Sequence, residues 1–228
     1  MVAVLTAHSG LRPEAKRYIM AGRGVVVDAG GRGDYTTVSD AVDYMKARAL
    51  AGRVWVREGL YQESATIAQP RLTVEGASWS TTVDGGTTGH AFDVTATIVQ
   101  IMNLEVKTTG GIGNSYYGVN GNTGSDMLRV ERVFCSDSDG QGVHFGADGG
   151  QICFSRVTGA DSNGVNFGSA GDNGRVVANF IGSNGGWGTG EHTSAENIVY
   201  VGNRVTGNSS GQIQQASGTG TYTGNDET

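Results

Sequence analysis

The chain has 228 residues with 39 glycines, two prolines and a formal net charge of −6. That length allows one core or one elongated domain of repeats. Scarce proline without a G-X-Y period excludes collagen. Apolar residues recurring between Gly/Asn/Asp/Ser clusters exclude disorder, and scattered Lys and Arg exclude a nucleic-acid groove, which needs a basic stripe.

The first residues, "MVAVLTAHSG", lack a basic n-region and an adequate apolar core, so no signal peptide is expected, and no stretch is long enough for membrane insertion. Residues 1–23 read as an N-terminal arm. Pro13 suits the first position of a short helix, "PEAKRYIMAG", stopped by Gly22, with Ala15, Tyr18 and Ile19 on one narrow apolar face. So short a helix is marginal alone, so it is expected to pack on its own body, on a sister subunit or on another protein, the last making the arm a docking segment. A strand in "VVV" then enters a glycine turn and "GDY". A helix is expected over residues 37–51, with Val38, Ala41, Val42, Met45 and Ala49 on one face, Thr37 as its cap and Gly52 as its end. Short strands follow in "RVWV", "ATIA", "LTVEG", "TTVDGG" and "AFDVTA", then a longer one in "TIVQIMNLEV".

The second half repeats. Val133, Val157, Ile181 and Val205 stand at a fixed spacing, each preceded closely by Arg132, Arg156, Asn179 or Asn203. A period in this range means a solenoid. The absence of helical pattern and of a leucine lattice leaves stacked coils of parallel strands. The four residues are expected to form one inward stack, with Gly and Asn at corners that need φ > 0. Cys135 and Cys153 give neither metal spacing nor a disulfide framework and are expected as buried hydrophobes. His8, His90, His144 and His192 are far apart in sequence, so no metal and no cofactor is expected.

The segments "DAGGRGDYTTVSDAV", "RVWVREGLYQESATI" and "LTVEGASWSTTVDGG" resemble the N-terminal part of pectin methylesterases. More broadly they are similar to the pectate-lyase-like superfamily of right-handed parallel β-helices, which includes phage tailspikes. The resemblance implies that the helix caps the first coil, with Val56, Gly59, Tyr61 and Glu63 in that coil and Leu72, Gly76, Thr82, Val83 and Gly85 in the next. It covers residues 24 to about 86 in detail and the rest through the repeat alone. The catalytic Gln-Asp step of pectin methylesterases is absent, as are the motifs of the pectin-hydrolysing members, so the resemblance carries over no catalytic residue.

The residues themselves offer an acidic column. Asp137 and Asp161 share the repeat spacing and are expected one above the other, with Asp139 beside them and Arg132 and Arg156 in another column. Stacked carboxylates can raise one another's pKa or hold a cation, and a glycosidase needs such a pair; solvated turn residues are the alternative. Tyr116, Tyr117 and Trp187, with Trp79, are candidates to stack on sugar rings; packing a corner is the alternative. "RGD" at residues 32–34 is explained by the turn itself.

The expected fold is all-β: a right-handed parallel β-helix of about seven to nine coils, with the capping helix and the N-terminal arm. The expected function is that of a virion structural protein of a tailed bacteriophage, a homotrimeric spike, fibre or capsid-decorating protein that binds surface polysaccharide. Its arm would meet other virion proteins after assembly in the host cytoplasm. The alternative is a lyase or hydrolase acting on an acidic polysaccharide.

Overall fold

A computed structural model describes residues 24–109, 115–215 and 220–228. The expected arm at 1–23 lies outside the described residues. From Gly52 onward the chain winds repeatedly through three parallel sheets of nine, eight and seven strands, and strand order within each sheet follows chain order. This is a parallel β-helix. The first sheet begins with Gly24–Val27, Gly52–Val56 and Leu72–Gly76, the second with Gly59–Gln62 and Thr81–Asp84, and the third with Ala65–Ile67 and Phe92–Val94.

The strands are three to five residues long in the middle coils because each must turn a corner to reach the next sheet. The corners stack as cleanly as the strands. Ile98, Met127, Gly149, Asn173 and Asn197 form one column of positive φ where the third sheet passes to the first. Asn103, Arg132, Phe154, Ala178, Gly202 and Gly224 form another where the first passes to the second. The expectation of glycine and asparagine at such corners holds only in part. Ile98, Met127 and Phe154 sit at φ 58°, 59° and 53°, where a side chain costs about 1–2 kcal/mol. Asn103 also corrects the expected long strand in "TIVQIMNLEV". At φ 56° it divides that stretch into Gln100–Met102 in the first sheet and Glu105–Thr108 in the second.

The inward columns are apolar. In the first sheet Val54, Val74, Ile101, Val130, Ile152, Val176 and Tyr200 stack in register. In the second the column runs Val83, Val106, Cys135, Val157, Ile181, Val205. The expected stack therefore holds from Val157 to Val205, but Cys135 takes the place given to Val133. The coil between them is shorter than the repeat and pairs in even register with the next, while a bulge between Cys135 and Ser138 lies against the preceding strand, Glu105–Thr108. Val133 is still buried, one column back, where its N–H donates to Ser155 Oγ at 3.1 Å.

That neighbouring column becomes a ladder of side-chain amides. Asn203 Oδ1 accepts from Asn179 N and Nδ2 at 2.9 and 3.0 Å, and Asn225 Oδ1 accepts from Asn203 N and Nδ2 at 3.0 Å each. Asn184 and Asn208 build a second ladder at the next corner, at 3.1 and 2.8 Å. Each buried backbone N–H that the corner leaves unpaired is satisfied from the coil above.

The first coil is capped as the resemblance implies. The helix is Val38–Ala47, and Val38, Ala41, Val42 and Met45 are buried against the coil end. Thr37 accepts from Asp40 N, and Glu63 receives the Val38 and Ser39 N–H groups at 2.7 and 2.8 Å. A carboxylate there favours the positive end of the helix dipole. The helix ends at Ala47 rather than residue 51. Ala49 turns to φ 51°, Leu50 N–H reaches back to Met45 O at 2.9 Å, and Gly52 already belongs to the first sheet. The Asp34 carboxylate of the "GDY" turn accepts from Val26 N at 2.8 Å, which accounts for that Asp structurally.

Candidate functional site

The corner between the second and third sheets is built on glycine. Gly118, Gly142, Gly164 and Gly188 form a column. A Cβ on them would meet Cys135 Sγ at 2.6 Å, Val157 Cγ1 at 2.4 Å, Ile181 Cγ2 at 2.8 Å and Val205 Cγ1 at 2.3 Å. The core column of the second sheet thus fills the space a side chain would need. The residues just before these glycines, Tyr117, Gln141, Asn163 and Trp187, are turned outward as a column of their own. From Tyr117 to Trp187 is three coils, about 14 Å at the usual strand separation.

Beside this column lies the outer face of the third sheet, where Asp93, Asn120, His144 and Asn166 stack in register. Asn120 and Asn122 donate to Asp93 Oδ1 at 2.8 and 2.6 Å. Asn163 Nδ2 donates to Asn166 Oδ1 at 3.0 Å, which turns Asn166 Nδ2 toward His144 Nδ1 at 3.1 Å. His90 Nδ1 accepts the Tyr117 N–H at 2.8 Å. In both imidazoles the proton is therefore assigned to Nε2. The Tyr117 ring lies between them, 4.9 Å from His90 and 5.5 Å from His144, and Tyr116 meets His90 edge-on at 5.8 Å. Burial pushes both imidazoles below their ordinary pKa. Asp93 opposes this at His90, and the His90 charge adds to it at His144. Both are neutral at neutral pH. All these side chains except buried Asn120 are half-exposed.

The sugar-stacking candidates Tyr116, Tyr117 and Trp187 thus lie along one face, whereas Trp79 is elsewhere, 5.8 Å from Phe134 on the second sheet. The acidic column is corrected. The shortened coil sets Asp137, at φ 46°, beside Gly159, and Asp161 stacks on Asp139 instead. Asp139 and Asp161 sit at the corner two residues ahead of Gln141 and Asn163. Arg156 is not with them; it lies on the outer face of the second sheet between Phe134 and Phe180, 5.5 and 5.1 Å from their rings. Among the described residues no three His, Cys, Asp or Glu side chains come close enough to share a metal ion, and no helix is long and apolar enough to cross a membrane. Sequence reasoning missed His90, Asp93, Asn120, His144 and Asn166. The signal was present in "GVNG", "GVHF" and "GVNF", where the residue after Val points outward.

Half-buried aromatic rings flanked by fixed amides, a carboxylate and imidazole N–H donors suit a polyhydroxylated ligand. Rings stack on the apolar faces of sugars and the polar groups take the hydroxyls. No protein-family model matches the chain, and no curated protein matches it by sequence. Solved structures do. Pectin methylesterase PemA from Erwinia chrysanthemi aligns at TM-score 0.64 and 14% identity over 80% of this chain and 65% of its own. The mannuronan C-5 epimerase AlgE4 A-module from Azotobacter vinelandii aligns at 0.64 and 18% over 84% and 56%. The Dettilon tailspike protein aligns at 0.56 and 13% over 81% and 44%. The chain thus spans less than two thirds of each of these proteins. At such identities the likeness is one of architecture, and in architecture the chain is a pectate-lyase-like parallel β-helix.

Proposed function

We propose that the chain is a structural, glycan-binding β-helix of a tailed-bacteriophage particle, part of a spike, a fibre or the capsid surface. The observation that carries the reading is the outer face of the third sheet. Tyr117, His144, Asn163 and Trp187 line it over three coils, and rings and amides are held in place by one another before any ligand arrives. Such preorganisation lowers the ordering cost of binding. The tailspike among the similar structures supports the particle role, and the pectin methylesterase and epimerase support a carbohydrate ligand. The missing family catalytic motifs favour binding over turnover. Residues 1–23 are the proposed attachment segment to other virion proteins. In this reading the chain assembles in the host cytoplasm and works as a homotrimer.

The test is mass spectrometry of purified particles from the source, with copy number, joined to deletion of residues 1–22. The chain should be a stoichiometric particle component, and the deletion should leave it folded but absent from particles. Absence of the intact chain from particles refutes the role. A second reading, a lyase or hydrolase for an acidic polysaccharide, is favoured by the adjacency of Asp139 and Asp161. Release of reducing ends or unsaturated products, lost in Asp139→Asn or Asp161→Asn, would establish it in place of the first.

A further inference from the structure

Two patches outside the third-sheet face share an unusual property. Of the six large hydrophobic residues that stand exposed among the described residues, Trp79, Ile98, Met127 and Phe154 belong to them. Ile98, Met127 and Phe154 are also held at left-handed corner positions that disfavour any side chain. Exposed apolar groups in strained backbone suit a covered surface better than a free one.

The first patch is a stripe on the second sheet. Phe134, Arg156, Phe180 and Arg204 alternate in one outward column. The Arg156 guanidinium lies between two rings, and Arg204 lies 5.9 Å from the Phe180 centroid. Trp79 extends the stripe past Phe134, and Phe154, 57% exposed, flanks it. Among the described residues no carboxylate pairs with Arg156. Arg204 reaches only exposed Asp226, at 3.8 Å. Aromatic residues and Arg, with little Lys or Glu, are what the centres of protein interfaces use.

The second patch is the corner between the third and first sheets. The residues before its left-handed column are Asp126, Asp148, Asp172 and Glu196, one per coil. Among the described residues none of the four is in an ion pair. Asp148 accepts from Asn173 Nδ2 and Asp172 from Glu196 N, both at 2.8 Å. Ile98 and Met127 lie in the same corner. One patch is apolar with guanidinium groups and the other is apolar with carboxylates. Both climb the same four coils with the same strand spacing.

We propose that these patches are the two halves of a head-to-tail contact between copies of this chain, the acidic edge of one docking on the arginine stripe of the next. Two different surfaces meet, so the contact is heterologous and leaves each copy with one patch for a further neighbour. The proposal rests on the reading of the chain as part of an assembly. It leaves the Tyr117 face free.

The experiment is sedimentation velocity of the full chain over a concentration series, with two double variants. Phe154→Asn with Arg156→Glu removes the stripe, and Asp126→Lys with Met127→Asn removes the edge. Asn suits both corner positions, and circular dichroism with thermal melting checks that each variant folds. The wild type should associate. Each variant alone should associate at least tenfold more weakly. An equimolar mixture should pair again and stop at dimers, because each partner keeps one intact patch. A wild type monomeric at every concentration, variants that associate like the wild type, or a mixture no stronger than its parts would overturn the proposal. So would a monomeric wild type whose stripe instead retains polygalacturonate through Arg156. Glycan binding is measured on the same samples and should be unchanged in both variants. Loss of the glycan reading with association intact, or the reverse, therefore tells the two ideas apart.

Discussion

Replacing Asn203 by Ala tests whether the amide ladder holds the coils together. Asn203 is 1% exposed. Its Oδ1 accepts from Asn179 N and Nδ2, and its Nδ2 donates to Val176 O at 2.7 Å and to Asn225 Oδ1 at 3.0 Å. Truncation leaves the Asn179 N–H and the Val176 carbonyl buried without these partners. The Asn179 amide keeps its bond to Ile152 O at 3.1 Å, and Asn225 is only partly buried. Two orphaned backbone groups at about 1–3 kcal/mol each give an expected loss of about 2–6 kcal/mol. Asn203→Ser should cost about 1–2 kcal/mol less, because a hydroxyl can keep the acceptor. Ser155 does so for the Val133 N–H in the same column. Urea unfolding with a common m-value reads both differences. A loss below about 1 kcal/mol for Asn203→Ala, or an equal loss for both substitutions, would refute the argument that unpaired buried backbone sets the cost.

Ile98→Asn should stabilise the chain by about 0.5–1 kcal/mol, since it relieves a β-branched residue at φ 58° and removes exposed apolar surface; destabilisation in urea would contradict this. His90 and His144 titrate below their ordinary 6.5 when folded, so the unfolded chain binds more protons as pH falls through that value. Their contribution is thus complete above pH 6.5 and declines below it. His144→Gln should flatten the fall in stability between about pH 7 and pH 5, and an unchanged slope would remove His144 from the explanation. Met45→Asp should abolish soluble folded protein, because Met45 is 1% exposed on the inner face of the capping helix and the carboxylate would be buried without a partner. A soluble Met45→Asp protein with wild-type melting would show that the helix does not seal the coil end.

The architecture was legible because solenoid coils repeat their demands. Val157, Ile181 and Val205 face the same space, so the same residue type returns at the same interval. The capping helix was legible from its period and from Thr37. What failed was register across the one shortened coil, which pairs Cys135 rather than Val133 with Val157. A shorter coil displaced Val133 and Asp137 from their expected columns, and coil length is set by local backbone geometry that spacing alone does not reveal. The binding face was half legible. Tyr116, Tyr117 and Trp187 stood out as aromatics in glycine-rich corners. His90 and His144 looked unrelated in sequence because only the coiling brings both against Tyr117.

The central claim is that the outer face of the third sheet holds a glycan. Its most direct test is affinity electrophoresis of the chain through gels containing individual bacterial surface polysaccharides, comparing the wild type with Tyr117→Ala, Trp187→Ala and Arg156→Ala. At least one polysaccharide should retard the wild type. Tyr117→Ala and Trp187→Ala should each weaken retention about tenfold, equivalent to about 1.4 kcal/mol, while Arg156→Ala, on another sheet, should bind as the wild type does. Unretarded wild type across the panel, or retention that survives loss of both Tyr117 and Trp187, would contradict the account.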